Sequence, residues 1–335
     1  MTPPHHRRNG GFRNPWPTAG SGGTPRSARA RRGGFWRWQW ERILHPPPPN
    51  PAPEEVPRER PDVAHPNATD GEIRLTWIGQ ATYLIQIAGW NLLTDPHWGR
   101  RASPISWAGP KRFAPPGLDW DDLPRVDAVL LSHDHYDHLD DGTVRRLAAR
   151  FGDALRWITP LGYADWLARR GARHVTELDW WGETDLGPLR VVALPAQHWS
   201  SRSPWTRGMR LWGSFAIVHG DDRVYFGGDS GFFPGYTEIG ERWGPFRALL
   251  LPIGAYEPRW FMRPAHMNPE EAVDAYRDLG GRGVFGAMHW GTFRLSDEDP
   301  LEPPERLRAA WAKAGLPEER LWIPGHGGTR ALASG

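Results

Sequence analysis

Six consecutive residues, His133-Asp134-His135-Tyr136-Asp137-His138, form a His-x-His-x-Asp-His cluster directly after the apolar stretch 126–132. Packing gives no reason to gather three imidazoles and a carboxylate there, whereas neutral imidazole and carboxylate are the donors that zinc-type metals accept. Four ligand-type groups on one tight loop cannot all face one ion. The spacing therefore points to two neighbouring metals, as in hydrolytic centres where paired cations clamp the attacking and leaving oxygens. A His-rich solvated loop would need no further partners, yet three more candidate ligands follow. His198 comes after the stretch 191–197, Asp229 after 224–228 and His289 after 284–288, each just beyond a strand-like run. Strand ends hold side chains rigidly while leaving them open to a cleft.

The elements that must position these groups alternate in type. Residues 74–78, 82–87 and 91–94 read as strands, the first two joined around Gly79-Gln80, and strands recur at 190–194, 214–219, 223–226, 248–252 and 284–288. Thr143 begins an amphipathic helix with Val144, Leu147, Ala148 and Phe151 on one face. Asn268-Pro269-Glu270-Glu271 reads as a cap with proline at the first helical position, and residues 304–314 form the last helix. Strands alternating with helices imply an α/β sandwich.

The 335 residues, 39% apolar and 24% charged, are those of an ordinary soluble protein able to bury a sizeable core. No cysteine is present, which removes thiolate ligands and cysteine nucleophiles together. Arginine far ahead of lysine implies a bacterial genome rich in G+C. No apolar run is long enough to span a bilayer, and the N-terminus lacks the apolar core of a signal peptide. The net charge of +2 hides an asymmetry: residues 1–42 hold nine Arg and one acid, a net of +8, so the remainder carries −6. Residues 1–70 are therefore expected to form a disordered basic Pro/Arg-rich leader with one short Trp-rich helix, and residues 71–335 the hydrolase domain. In that helix Trp36, Trp40, Ile43 and Leu44 share helical spacing, suited either to an interfacial anchor or to docking on the protein's own core.

The order cluster, His, Asp, His is the ligand order of the metallo-β-lactamase superfamily. From about Leu75 to Leu316 the chain resembles N-acylphosphatidylethanolamine-hydrolysing phospholipase D, a zinc enzyme of that superfamily. The resemblance rests on Leu93-Thr94-Asp95-Pro96, Gly109-Pro110-Lys111-Arg112-Phe113, Glu177-Leu178-Asp179-Trp180-Trp181, Gln197-His198-Trp199 and His289-Trp290-Gly291-Thr292-Phe293. Its longest string is Pro252-Ile253-Gly254-Ala255-Tyr256-Glu257-Pro258-Arg259-Trp260-Phe261-Met262. The resemblance implies a four-layer αβ/βα sandwich and two Zn2+: His133, His135 and His198 on the first, Asp137, His138 and His289 on the second, Asp229 bridging. It implies attack of a metal-bridging hydroxide on an N-acylphosphatidylethanolamine-like lipid, releasing N-acylethanolamine and phosphatidic acid, with Asp137 and His266 serving catalysis. Where the family has Gln-His, this chain has Ala265-His266, which bears on head-group or acyl preference.

Tyr136 and His266 are expected to line the substrate cleft, and Asp95 and Asp134 to support ligands from behind. The phospholipid substrate implies peripheral association with the inner face of a membrane by a cytoplasmic protein, and the family resemblance implies a homodimer. A nucleic-acid partner is not expected, since the body is net acidic and the basic leader lacks interleaved aromatics. The alternative reaction on the same site is hydrolysis of a lactone or another ester or phosphodiester small molecule.

Overall fold

The computed structural model describes residues 3–8, 10–16, 28–65, 67–68 and 71–333, with backbone alone at 28–33. Two seven-stranded sheets face each other. The first runs in the order β14-β1-β2-β3-β4-β5-β6, with β1 Ile73–Gly79, β2 Thr82–Ile87, β3 Trp90–Thr94, β4 Ala128–Leu130, β5 Arg156–Pro160, β6 His174–Leu178 and β14 Thr329–Leu332. The second runs β13-β12-β11-β10-β9-β8-β7, with β7 Glu183–Leu186, β8 Leu189–Leu194, β9 Ser214–His219, β10 Asp222–Phe226, β11 Ala248–Pro252, β12 Val284–Met288 and β13 Leu321–Trp322.

The two-residue period of a strand explains the layering. In β2, Tyr83 and Ile85 enter the core between the sheets while Leu84 turns outward; in β4, Ala128 and Leu130 face in and Val129 out. The outward residues pack under α2 (Asp141–Phe151) and α3 (Ala164–Ala168) through Val144, Leu147 and Leu167. Outside the second sheet, α4 (Gly235–Trp243), α6 (Pro269–Asp278) and α7 (Glu302–Lys313) bury Tyr236, Tyr276 and Trp311. A short helix α5, Arg259–Met262, precedes α6. The result is the expected four-layer αβ/βα sandwich. No helix among the described residues is long and apolar enough to cross a membrane.

Parts of the leader pack on the body in the described residues. Residues 10–16 lie on the body: Phe12 is buried, Trp16 packs on Trp180 and Phe233, and His5 and His6 pair with the two carboxylate oxygens of Asp179 at 2.6 and 2.9 Å. Residues 56–59 form a strap, with Val56 packed on Phe113 and Ala114 and the Glu59 N–H donating to the His326 carbonyl at 2.9 Å. Composition hides these anchors because each is a few side chains or a backbone bond inside a polar sequence. Residues 17–27 lie outside the described residues.

The Trp-rich helix, α1 (Ala28–Leu44), starts earlier than expected and docks by a different residue. Trp38 is 7% exposed, its indole N–H donates to Asp297, and its ring lies 5.0 Å from Phe261. Arg42 pairs with Asp297 at 3.1 Å. The stripe Trp36, Trp40, Ile43 and Leu44 instead faces outward, with Trp36 at 69% and Ile43 at 72% exposure.

Candidate metal centre

Both sheets deliver donors to one edge of the sandwich. After β4 the chain turns sharply, the N–H groups of His138 and Leu139 both donating to the His135 carbonyl at 3.1 and 2.9 Å. That turn aims His133, His135, Asp137 and His138 inward before Asp140 caps α2, its carboxylate accepting from the Thr143 N–H at 2.9 Å. Opposite, Asp229 follows β10, His289 follows β12 and His198 lies four residues beyond β8. Gly228 has φ +56°, and a Cβ there would sit 2.6 Å from that of Ser132, so only glycine lets the two loops meet. His289 itself has φ +64°, an uncommon conformation for a residue with a Cβ, and its N–H donates to the Gln80 carbonyl at 2.9 Å.

The donor atoms converge into two sets. Nδ1 of His135 lies 2.9 Å from Nε2 of His133 and 3.1 Å from Nε2 of His198, and Asp229 Oδ2 lies 3.8 Å from each of those Nε2 atoms. Beside them, the Nε2 atoms of His138 and His289 are 3.2 Å apart, with Asp137 Oδ2 at 3.1 and 3.2 Å. Asp229 joins this set too, Oδ2 lying 3.1 Å from His138 and Oδ1 3.1 Å from His289. Two four-donor groups thus share Asp229. Mutual hydrogen bonding does not satisfy them, because one ring nitrogen carries either one proton or one lone pair. A tetrahedral cation with ligand bonds of about 2.0–2.1 Å would hold its donors about 3.3 Å apart, so these residues fit two zinc-type ions.

The far edges of three of the five rings, His133, His138 and His198, are tied to hydrogen-bond partners that orient them. His138 Nδ1 donates to Asp95 Oδ2 at 2.7 Å; the Ser132 hydroxyl donates to the same carboxylate and accepts from His133 Nδ1 at 2.9 Å. His198 Nδ1 donates to the Ala265 carbonyl at 2.9 Å. In His133 and His198 the inward Nε2 is left with a lone pair for a cation, whereas in His138 a cation would take the place of a proton held by the carboxylates beside it. Asp95 therefore stands behind the candidate ligand His138. The Asp95→Asn variant should lower metal affinity about 10–100-fold while the fold survives; a metal titration with unchanged affinity would count against this role.

Three contributors escape sequence reasoning. Gln80 donates its amide to Asp137 Oδ2 at 2.8 Å from the β1–β2 turn, and Ser132 and the Ala265 carbonyl act as above. A polar residue in the tight turn between two largely apolar strands was the signal for Gln80; a backbone carbonyl leaves none. Ala265 thus keeps a role that needs no side chain.

The other expected site residues fall in different places. Asp134 neither supports a histidine nor faces solvent. It is fully buried, accepting from the Ser201 N–H at 2.7 Å and pairing with Arg210 at 2.8 Å, because its carboxylate anchors the loop 199–210. Tyr136 is half-buried beside His135, but its hydroxyl is committed to the Arg202 carbonyl at 2.8 Å. His266 sits over the cluster: its Nδ1 is 3.9 Å from Asp229 Oδ2, buried and without a hydrogen-bond partner. His135, Tyr136, Trp199 and His266 are the less buried members, so the centre opens on their side.

Electrostatics separate the two sets. Burial pushes the His133 and His198 imidazoles far down and that of His135 down to about 3, so this set is neutral and ready for a cation. Burial acts the same way on His138 and His289, but the Asp229 and Asp137 carboxylates overcome it, raising His138 well above its ordinary value and His289 to about 9. A cation entering there must displace protons, and more of them as pH falls below about 9. On acidification the Asp137–His138–His289 set should therefore empty first, leaving one ion per chain; dialysis across a pH series followed by elemental analysis reads this directly. Simultaneous loss of both ions would contradict it.

Residues 90–290 match the beta-lactamase superfamily domain. The chain is 41% identical over 244 residues to N-acyl-phosphatidylethanolamine-hydrolyzing phospholipase D 1 of Caenorhabditis elegans, covering 70% of this chain and 68% of that protein. It is 35% identical over 264 residues to the mitochondrial N-acyl-phosphatidylethanolamine-hydrolyzing phospholipase D of Saccharomyces cerevisiae, covering 77% of this chain and 55% of that one. Among solved structures, isothiocyanate hydrolase from Delia radicum gut bacteria superposes with a TM-score of 0.62 at 22% identity, over 78% of this chain and 100% of that one, a likeness of fold. Donor order, sandwich and sequence agree: the chain belongs to the metallo-β-lactamase superfamily and resembles its N-acylphosphatidylethanolamine-hydrolysing phospholipases D.

Proposed function

We propose that this protein is a phosphodiesterase of the phospholipase D type, hydrolysing N-acylphosphatidylethanolamine-like lipids to N-acylethanolamine and phosphatidic acid with two zinc ions. The observation that carries the reading is 41% identity over 244 residues to a relative named for that reaction, in a chain whose donor sets converge on Asp229. Bound there, zinc ions would activate water near neutral pH and neutralise charge on phosphoryl oxygens.

The chain's own residues supply the rest. Asp95, Ser132 and the Ala265 carbonyl hold His138, His133 and His198 in their donor tautomers. His266 presents a nitrogen toward Asp229 on the open side, where it can clamp a phosphoryl oxygen or pass a proton to the leaving alkoxide. The outward stripe of α1 supports a lipid substrate: Trp36, Trp40, Ile43 and Leu44 form an apolar face suited to the interfacial zone of a bilayer.

Incubation with N-acylphosphatidylethanolamine in heavy-oxygen water is the test. The label should appear in phosphatidic acid, released together with free N-acylethanolamine, with no lipid-enzyme adduct. Faster cleavage of simple lactones than of any phosphodiester lipid would overturn the substrate and leave a metallo-hydrolase.

A further inference from the structure

A second recess lies at the opposite end of the strands. β10, β11 and β12 run toward Asp229 and His289 with their far ends; their starts, together with the end of β14, enclose a space of about 470 Å³. Four guanidiniums line it, Arg247, Arg282, Arg320 and Arg330, against a single lining carboxylate, Asp221. Arg247 is neutralised by Asp222 at 3.2 Å. Arg320 and Arg330 meet no carboxylate among the described residues and donate to the carbonyls of Gly281 and Glu319. Arg282 is exposed, with no hydrogen bond or ion pair among the described residues. Buried Phe246 and half-buried Leu332 give the recess an apolar wall.

Like charges gathered in a concavity repel one another, and among the described residues Asp221 in the lining and the Asp222 paired with Arg247 do not balance four guanidiniums. An entering anion relieves that repulsion, and a low-dielectric wall focuses the field upon it. Guanidinium forks match phosphate oxygens bidentately, which a carboxylate-free set of three leaves available. The apolar wall adds a surface for an organic body, and the volume falls within the range of small-molecule sites. We propose that this recess binds a phosphate monoester bearing a short apolar group, at a site separate from the metal centre.

Hexyl phosphate is the probe, measured by equilibrium dialysis against the metal-loaded full chain, beside inorganic phosphate and hexanol. The Arg282→Glu variant changes an exposed, unpartnered side chain, so it should fold, keep its metal content and keep its turnover of detergent-dispersed lipid. Its affinity for hexyl phosphate at this site should fall at least tenfold, and Arg330→Gln should weaken it in the same direction. Inorganic phosphate and hexanol should each bind at least tenfold more weakly than hexyl phosphate. Vesicles with and without phosphatidic acid form the other arm. Arg282-dependent binding of hexyl phosphate assigns a soluble ligand, and Arg282-dependent binding of phosphatidic-acid vesicles alone assigns a lipid headgroup, either of which upholds the phosphate site. Equal binding by wild type and Arg282→Glu in both arms overturns it, and inorganic phosphate binding as tightly as hexyl phosphate overturns the apolar half.

Discussion

The Asp229→Asn variant is expected to retain at most one cation per chain and to lose turnover by about 10³-fold or more. Asp229 is 3% exposed and is the residue common to both four-donor sets among the described residues. Its carboxyl is held well below the ordinary range: burial alone would raise it, but the imidazoles of His138 and His289 outweigh burial. The Asp229 carboxylate is therefore ionised at every pH of interest, and its charge is what allows two cations to approach one another. An amide of the same shape keeps the packing but removes that charge, leaving five imidazoles (His133, His135, His138, His198 and His289) with Asp137 as their only carboxylate ligand. Elemental analysis together with a rate measurement decides the matter. Two ions per chain at full rate would remove Asp229 from its bridging position.

Much of this centre was legible because its chemistry is written in side-chain types. The His133–His138 cluster and the residues His198, Asp229 and His289 are unusual enough to be picked out, and the strand-like apolar runs before them placed each at a strand end. The sandwich was legible from strands alternating with helices, although β4, which turns Val129 and Leu130 to opposite cores, was read only as an apolar stretch. What stayed hidden depends on backbone or on long-range pairing. The Ala265 carbonyl carries no sequence mark, and Asp134 looks like a candidate for ligand support until Arg210, 76 residues away, claims it. β6 was missed because three of its five residues, His174, Thr176 and Glu177, are polar, as suits an edge. The leader misleads most. Its composition argues for a free chain, yet Phe12, Trp38 and Val56 each find a slot on the body, and so few slots per segment are below what composition can register. The stripe on α1 shows the same limit from the other side. Periodicity found the apolar face correctly but could not say which face would be turned to the protein.

The His266→Ala variant should slow turnover by about 10²–10³-fold while leaving the metal content of the protein unchanged. Its ring is packed edge-on to His198, 5.1 Å between centroids, and lies 5.7 Å from His289, yet it belongs to neither donor set. The backbone around it is fully engaged: its N–H donates to the Met262 carbonyl and its own carbonyl accepts from Arg259, each at 3.0 Å. The loop therefore holds the ring in place by the backbone, and the free Nδ1 is left over. Burial pushes its titration down to about 4, against the opposing pull of Asp229, so near neutral pH the ring is neutral and can donate one hydrogen bond or accept one proton. Those are the two capacities needed beside a phosphoryl group, clamping an oxygen or relaying a proton to the departing alkoxide. A purely structural His266 predicts a different pattern, in which alanine lowers thermal stability and metal content together. The split measurement separates them: kcat should fall with metal occupancy and unfolding temperature unchanged, and His266→Gln should restore part of the rate if clamping is the larger part of the role. Loss of metal in step with loss of rate would place His266 among the supports of His198 instead.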